Sequence, residues 1–226
     1  MSISAYNIGT KFNADGSVRF FPGNTIISMI DHEAPVFAAF LHIRDLLTAK
    51  PAVRCCTMLP DDSIHMTVME GVCHQWRKPG QWTSLLPLDC KLSEVDDLLE
   101  EKLGSVRPLG AVRMRMEKLC RKSGITIRLA PVTDGDLLEL RRYRDEVSAV
   151  TGLRLPNHED YRFHISLCYF VSDPTPEEER QLAAFMSEAD AYIAQSDVAF
   201  TLRPPMLVYF NDMFRFSPHR IPRNGL

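Results

Sequence analysis

The sequence predicts an α+β fold, and three observations carry that prediction. Runs rich in β-branched and aromatic residues, with two-residue alternation, are interleaved with longer runs whose apolar residues recur at helical spacing. In the first half of the chain the order is strand, helix, strand, turn, strand, and the second half repeats it loosely. One short pattern, histidine–apolar–hydroxyl–apolar, also occurs twice, each time inside a strand: His65-Met66-Thr67-Val68 and, nearly half the chain later, His164-Ile165-Ser166-Leu167. With 226 residues, 45% hydrophobic and 24% charged, the chain has the composition of an ordinary globular protein and the length for one large domain or two small halves sharing a core.

Taken in order, residues 10 to 21 read as a hairpin, with Asn13-Ala14-Asp15-Gly16 as turn chemistry between Lys11-Phe12 and Val18-Arg19-Phe20-Phe21. Pro22-Gly23-Asn24 breaks it, and Thr25 to Ile30 is a strand. Pro35 suits the first turn of a helix that carries Val36, Phe40, Ile43 and Leu47 at helical spacing through residue 49, with Pro51 as its stop. Val53 to Leu59 is expected as a strand, Pro60-Asp61-Asp62 as a turn, and Ile64 to Met69 as the first motif strand. Residues 72 to 90 are irregular. Trp76 and Trp82 are expected to anchor that loop to the core, with base stacking as the alternative. Ser93 with Asp96 makes a near capping box for a helix to Leu103, closed by Gly104.

Val112 to Leu119 and Ile125 to Leu129 alternate and pair as a hairpin. Asp134 caps a helix to about Val150 that Gly152 ends. Pro156 to Asp160 loops into the second motif strand. Pro176 and the acidic Glu177-Glu178-Glu179 open a last helix to about Gln195. Two late strands, Ala199 to Leu202 and Met206 to Phe210, precede a tail over residues 213–226, with Pro218, Pro222 and Asn224-Gly225, expected as a surface arm.

Several function classes are excluded or disfavoured. A formal charge of −3 argues against tracking a long nucleic-acid tract, which needs a basic stripe, though it leaves room for a site that grips one phosphate. No apolar run is long enough to cross a membrane, and the first residues lack the basic start and apolar core of a signal peptide. Cys55, Cys56, Cys73, Cys90, Cys120 and Cys168 form no zinc-ribbon spacing and read as reduced thiols of a cytoplasmic protein.

The chemistry rests on the repeated motif. Side chains alternate along a strand, so His65 and Thr67 share one face, as do His164 and Ser166. A polar pair on one face of an otherwise apolar strand is costly if simply buried, and its occurrence twice suggests two strands presenting to a common cleft. The two tetrapeptides resemble the signature of the two-histidine (2H) phosphoesterase superfamily, which includes LigT-like RNA 2′-5′ ligases and cyclic phosphodiesterases. Residues 11–25 resemble the N-terminal segment of one branch of that superfamily. The resemblance implies a single domain of two pseudo-symmetric lobes, about 25–110 and 111–212, each an antiparallel sheet with helices outside, around a central cleft. Residues 1–24 would form a hairpin or flap.

The resemblance further implies metal-independent hydrolysis of a phosphodiester, a 2′,3′-cyclic phosphate on an RNA end or nucleotide. His65 and His164 would be the acid and base, and Thr67 and Ser166 the donors to the phosphate. Two imidazoles flanking one phosphate supply both proton transfers near neutral pH, so no cofactor and no metal are expected. Arg162 alternates onto the His164 face and offers a guanidinium fork, and Tyr209 and Asn24 are further candidates for substrate binding. Lys11 and Arg19 are possible phosphate donors from the flap. The rivals are an RNA 2′-5′ ligase-like activity, a non-catalytic RNA or nucleotide binder, and a metal hydrolase using His158 and Glu159.

Overall fold

The described residues, 4–223 of the computed structural model, form eight strands and four α-helices. β1 (Gly23–Met29) follows the break at Pro22. α1 (Pro35–Thr48) begins on Pro35, whose fixed φ suits a first turn, and buries Val36, Phe40, Ile43 and Leu47. The expected strand from Val53 is mostly a 3₁₀ turn, Pro51–Cys55, in which the Ala52 N–H donates to the Gln181 side chain instead of to a ladder. Only β2 (Cys56–Met58) remains extended there. β3 (His65–Cys73) carries the first motif.

α2 (Leu92–Leu103) starts earlier than the Ser93–Asp96 box implied. Its Glu94 carboxylate accepts from the Lys91 N–H at 2.6 Å, and Asp96 faces inward. Gly104 closes it in the right-handed region. β4 (Arg113–Arg121) and β5 (Gly124–Pro131) form the expected hairpin. α3 (Asp134–Thr151) is capped one residue before Asp134: Thr133 Oγ1 accepts from the Asp136 N–H, and Asp136 accepts back from the Thr133 N–H. Gly152 ends it at φ 69°, where a side chain would be strained. β6 (His164–Phe170) carries the second motif, and α4 (Pro176–Ser196), β7 (Ala199–Thr201) and β8 (Met206–Phe210) complete the chain order.

All eight strands join one antiparallel sheet, ordered β7-β4-β5-β6-β3-β1-β8, with β2 beside β6. The class is α+β as expected, with the strands in one continuous sheet. Apolar residues of the motif strands, such as Met66 and Leu167, pack into a core with Phe40, Leu99, Leu140 and Phe185 from the four helices. The other face of those strands stays open. The motif strands meet at one pair, Met66 opposite Ile165; farther along β6, β2 takes over that edge.

Each motif strand carries a bulge directly after its hydroxyl residue. On β3, Met69 and Thr67 face consecutive residues of β1, so Val68 is the extra one; on β6, Cys168 and Ser166 face consecutive residues of β5, leaving Leu167 extra. The alternation slips by one in both places. Val68 and Met69 are both buried, as are Leu167 and Cys168, and Glu70 and Tyr169 emerge on the open face beside the motif residues. The Val68 carbonyl, set free from the ladder, accepts from Arg144 Nη1 of α3 at 2.6 Å.

Both ends of the described chain fold back over the open face. The turn at Asn13–Gly16 forms as expected, but the hairpin is reduced to single bridges, and Phe12 and Phe21 sink into a second small core with Phe210 and Met213. The tail is not a surface arm. Ser217 and Tyr209 exchange two backbone hydrogen bonds at 2.8 and 2.9 Å, and Arg223 makes a 2.6 Å ion pair with Asp96 in which both side chains are nearly inaccessible. That buried pair needs a partner for each charge, which pins the tail to α2. Asn224 and Gly225 lie outside the described residues.

Candidate functional site

Extending the Met66–Ile165 register by one residue on either side sets Thr67 across from His164 and His65 across from Ser166, all on the open face. The four side chains line one cavity of about 420 Å³. The two histidines are held alike. His65 Nδ1 lies 2.6 Å from the Ser63 carbonyl and His164 Nδ1 lies 2.8 Å from the Arg162 carbonyl, two residues upstream in each case. A carbonyl only accepts, so each Nδ1 carries the proton, and Nε2 is the nitrogen left for chemistry.

Burial pushes the His65 imidazole down to about 4, and the neighbouring His164 adds to the effect while the Ser63 carbonyl opposes it. His65 is therefore neutral at pH 7 and able to accept a proton. Part of the burial comes from the tail, whose Phe216 ring stands edge-on to His65 at 4.5 Å.

Residues outside the motifs complete the site. Tyr161, in the loop before β6, has its hydroxyl beside Thr67, and burial together with the nearby Glu70 pushes its phenol far up, so it stays protonated. Its ring rests on the Arg144 guanidinium at 4.4 Å. Arg144 is 4% exposed and also donates to the His158 carbonyl, so one arginine ties the β3 bulge to the Tyr161 loop. Glu70 and Tyr169 reach the cavity through the two bulges, and Glu70 Oε2 is buried with no hydrogen-bond partner. Unbroken alternation from the motifs would put Met69 and Cys168 there instead. Bulges leave no mark in an apolar run, so nothing in the sequence signalled Glu70 or Tyr169.

The other expected site residues divide. Arg162 is exposed and lines a neighbouring cavity together with His164, and its carbonyl orients that histidine. Asn24 borders the main cavity, but its amide is engaged: Nδ2 donates to Asp96 at 2.8 Å and Oδ1 accepts from the Val72 N–H at 3.0 Å. A side chain on Gly71 would collide with Asn24, which fixes this close approach. Tyr209 is a correction. It follows the alternation of β8, where Phe210 faces the cavity, so Tyr209 turns the other way, is 2% exposed and donates its hydroxyl to Glu100 of α2.

Lys11 and Trp76 line the cavity, Trp82 is buried in the core, and Arg19 turns outward to Asn13. Asp145, His158 and Glu159 approach one another closely enough to suggest metal ligands, yet Arg154 pairs with both carboxylates, and none of the three lines the cavity. The Arg154 guanidinium already balances both carboxylates.

The 2H-phosphodiest family model, described as a domain of unknown function (DUF1868), matches residues 11–125, a span that contains His65 and ends before His164. None of the curated proteins matches the chain. Among solved structures, a conserved protein of unknown function, ATU0111 from Agrobacterium tumefaciens str. C58, is 29% identical with a TM-score of 0.85, over 94% of this chain and 90% of that one. TT0787 of Thermus thermophilus is 13% identical with a TM-score of 0.49, over 82% and 87%. E. coli LigT in apo form is 13% identical with a TM-score of 0.48, over 89% and 96%.

Proposed function

This chain belongs to the 2H-phosphodiest family, and from that premise we propose that it is a metal-independent phosphodiesterase that opens 2′,3′-cyclic phosphates on RNA ends or nucleotides. The observation that carries the reading is the matched pair of histidines, each fixed through Nδ1 to a carbonyl and each leaving Nε2 free at one cavity.

In this reading His65, neutral at pH 7, takes a proton from water through Nε2 as the water oxygen bonds to phosphorus. The bond from phosphorus to one ribose oxygen breaks, and His164 gives that oxygen its proton from Nε2. Thr67 and Ser166 donate to the non-bridging oxygens, where negative charge grows, and Tyr161 holds Thr67 in place. The rings of Trp76, Tyr169 and Phe216 form a wall on which a base can stack. A cavity of about 420 Å³ suits a nucleotide-sized group better than a duplex. Cytoplasmic placement belongs to the same proposal, supported by six free thiols.

Turnover of adenosine 2′,3′-cyclic phosphate tests it. His65→Ala and His164→Ala should each lose on the order of a hundredfold or more while keeping the wild-type circular dichroism spectrum. Wild-type turnover should survive exhaustive treatment with EDTA. Near-normal turnover in either variant, or a loss in EDTA that one divalent ion restores, would overturn the reading. A wild type that binds cyclic nucleotides without turning them over would be a binding module.

A further inference from the structure

A second cavity, about 590 Å³, adjoins the first and shares Lys11, Glu70, Tyr161, His164, Ser166 and Tyr169 with it. Its character differs. The first is walled by rings, whereas the second lies over β5 and β6 and gathers Lys11, Lys122, Arg128 and Arg162. Arg128 is neutralised by Glu117 at 2.8 Å. Among the described residues, neither Lys11 nor Lys122 has a carboxylate at ion-pairing distance, and the carboxylates that share this cavity, Glu70 and Asp160, pair with neither.

Both lysines line this second cavity, and each is placed relative to Tyr169. Lys122 lies in the turn between β4 and β5, where its N–H reaches the Gly124 carbonyl at 2.9 Å, and Gly124 pairs with Tyr169 on β6. Lys11 Nζ sits 4.7 Å from the Tyr169 ring, and Trp76, Phe21 and Tyr6 surround it at 5.5 to 5.9 Å. Four rings orient an ammonium without neutralising it, so its charge stays available to an anion. Across the bulge, Ser166 and Tyr169 pair with Thr126 and Gly124, two residues apart on β5, a strand distance of about 7 Å, on the scale of one nucleotide unit.

We infer that Lys11 and Lys122 form a second phosphate subsite, which selects substrates carrying a phosphate on the 5′ side of the nucleoside whose 2′,3′-cyclic phosphate is opened. The inference rests on the cyclic-phosphate reading for the reaction, and the lysine pair adds the substrate class: a 5′-phosphorylated end in place of a plain cyclic nucleoside monophosphate.

The test compares kcat/KM for adenosine 2′,3′-cyclic phosphate with and without a 5′-phosphate, and binding of adenosine 5′-monophosphate with that of adenosine by calorimetry. The wild type should favour the 5′-phosphorylated substrate by about tenfold or more, the worth of one charge-assisted contact. In Lys122→Gln, an exposed turn position, that ratio should fall to near one, and Lys122→Arg should restore it. A wild-type ratio near one, or a variant in which both substrates lose equally, would overturn the subsite. If neither substrate is turned over, the reaction reading fails and calorimetry decides alone. Binding of the monophosphate that weakens about tenfold in Lys122→Gln keeps the subsite, and binding indifferent to Lys122 removes it.

Discussion

At the scale of single residues, the proposed reaction would use two imidazoles in different surroundings. Because His65 sits near 4, its neutral form prevails across the physiological range, and acid removes the base only when the pH falls to that value. The acid limb of kcat/KM, which reports the free protein, should therefore lie near pH 4. The limb of kcat should lie higher, because a bound phosphodiester anion favours the protonated ring. Rate measured against pH checks both, and an acid limb of kcat/KM at the ordinary 6.5 would contradict the assignment of His65 as base. Phe216→Ala lets water reach the ring and should move the limb upward toward 6.5. The motif residues were legible in the sequence because a polar pair on an apolar strand stands out. Tyr161 and Phe216 were not, because each reaches the site from irregular chain with no periodicity to betray its direction.

At the scale of elements, the bulges set the geometry and Arg144 holds one of them. Its guanidinium donates to the Val68 carbonyl and the His158 carbonyl and underlies Tyr161. Arg144→Leu leaves those buried acceptors without partners and should cost on the order of 3 kcal/mol, measured by urea denaturation. It should also lower kcat by loosening Tyr161 and hence Thr67. A variant of wild-type stability with unchanged kcat would show that the bulge forms without it. Helices α1, α3 and α4 were readable to within a residue or two, since periodicity and Pro or Gly punctuation agreed. The strand expected from Val53 failed because Pro51 and burial of Ala52 and Cys55 favour a tight turn over an extended run of the same composition.

At the scale of the whole molecule, both ends of the described chain close the site, Tyr6 and Lys11 from one and Phe216 from the other, and the Arg223–Asp96 pair ties the second end to α2. The α+β class followed from the alternation of strand and helix patterns, but the docking of the tail did not, since prolines and polar residues look the same whether solvated or folded back. A chain ending at Asp212 leaves Asp96 buried without its cation and should lose about 3–5 kcal/mol, and the acid limb of its residual activity should move toward 6.5, as in Phe216→Ala. Wild-type stability and an unmoved limb would show that the tail contributes nothing. The pairing of β1 with β8 has a kinetic corollary. Contacts between such distant segments must overcome a large loop-closure entropy and form late. In refolding from urea, helical ellipticity should return in an early phase and phosphodiester turnover only in a later one, so that a population of chains passes through a stage with its secondary structure in place and its chemistry still silent.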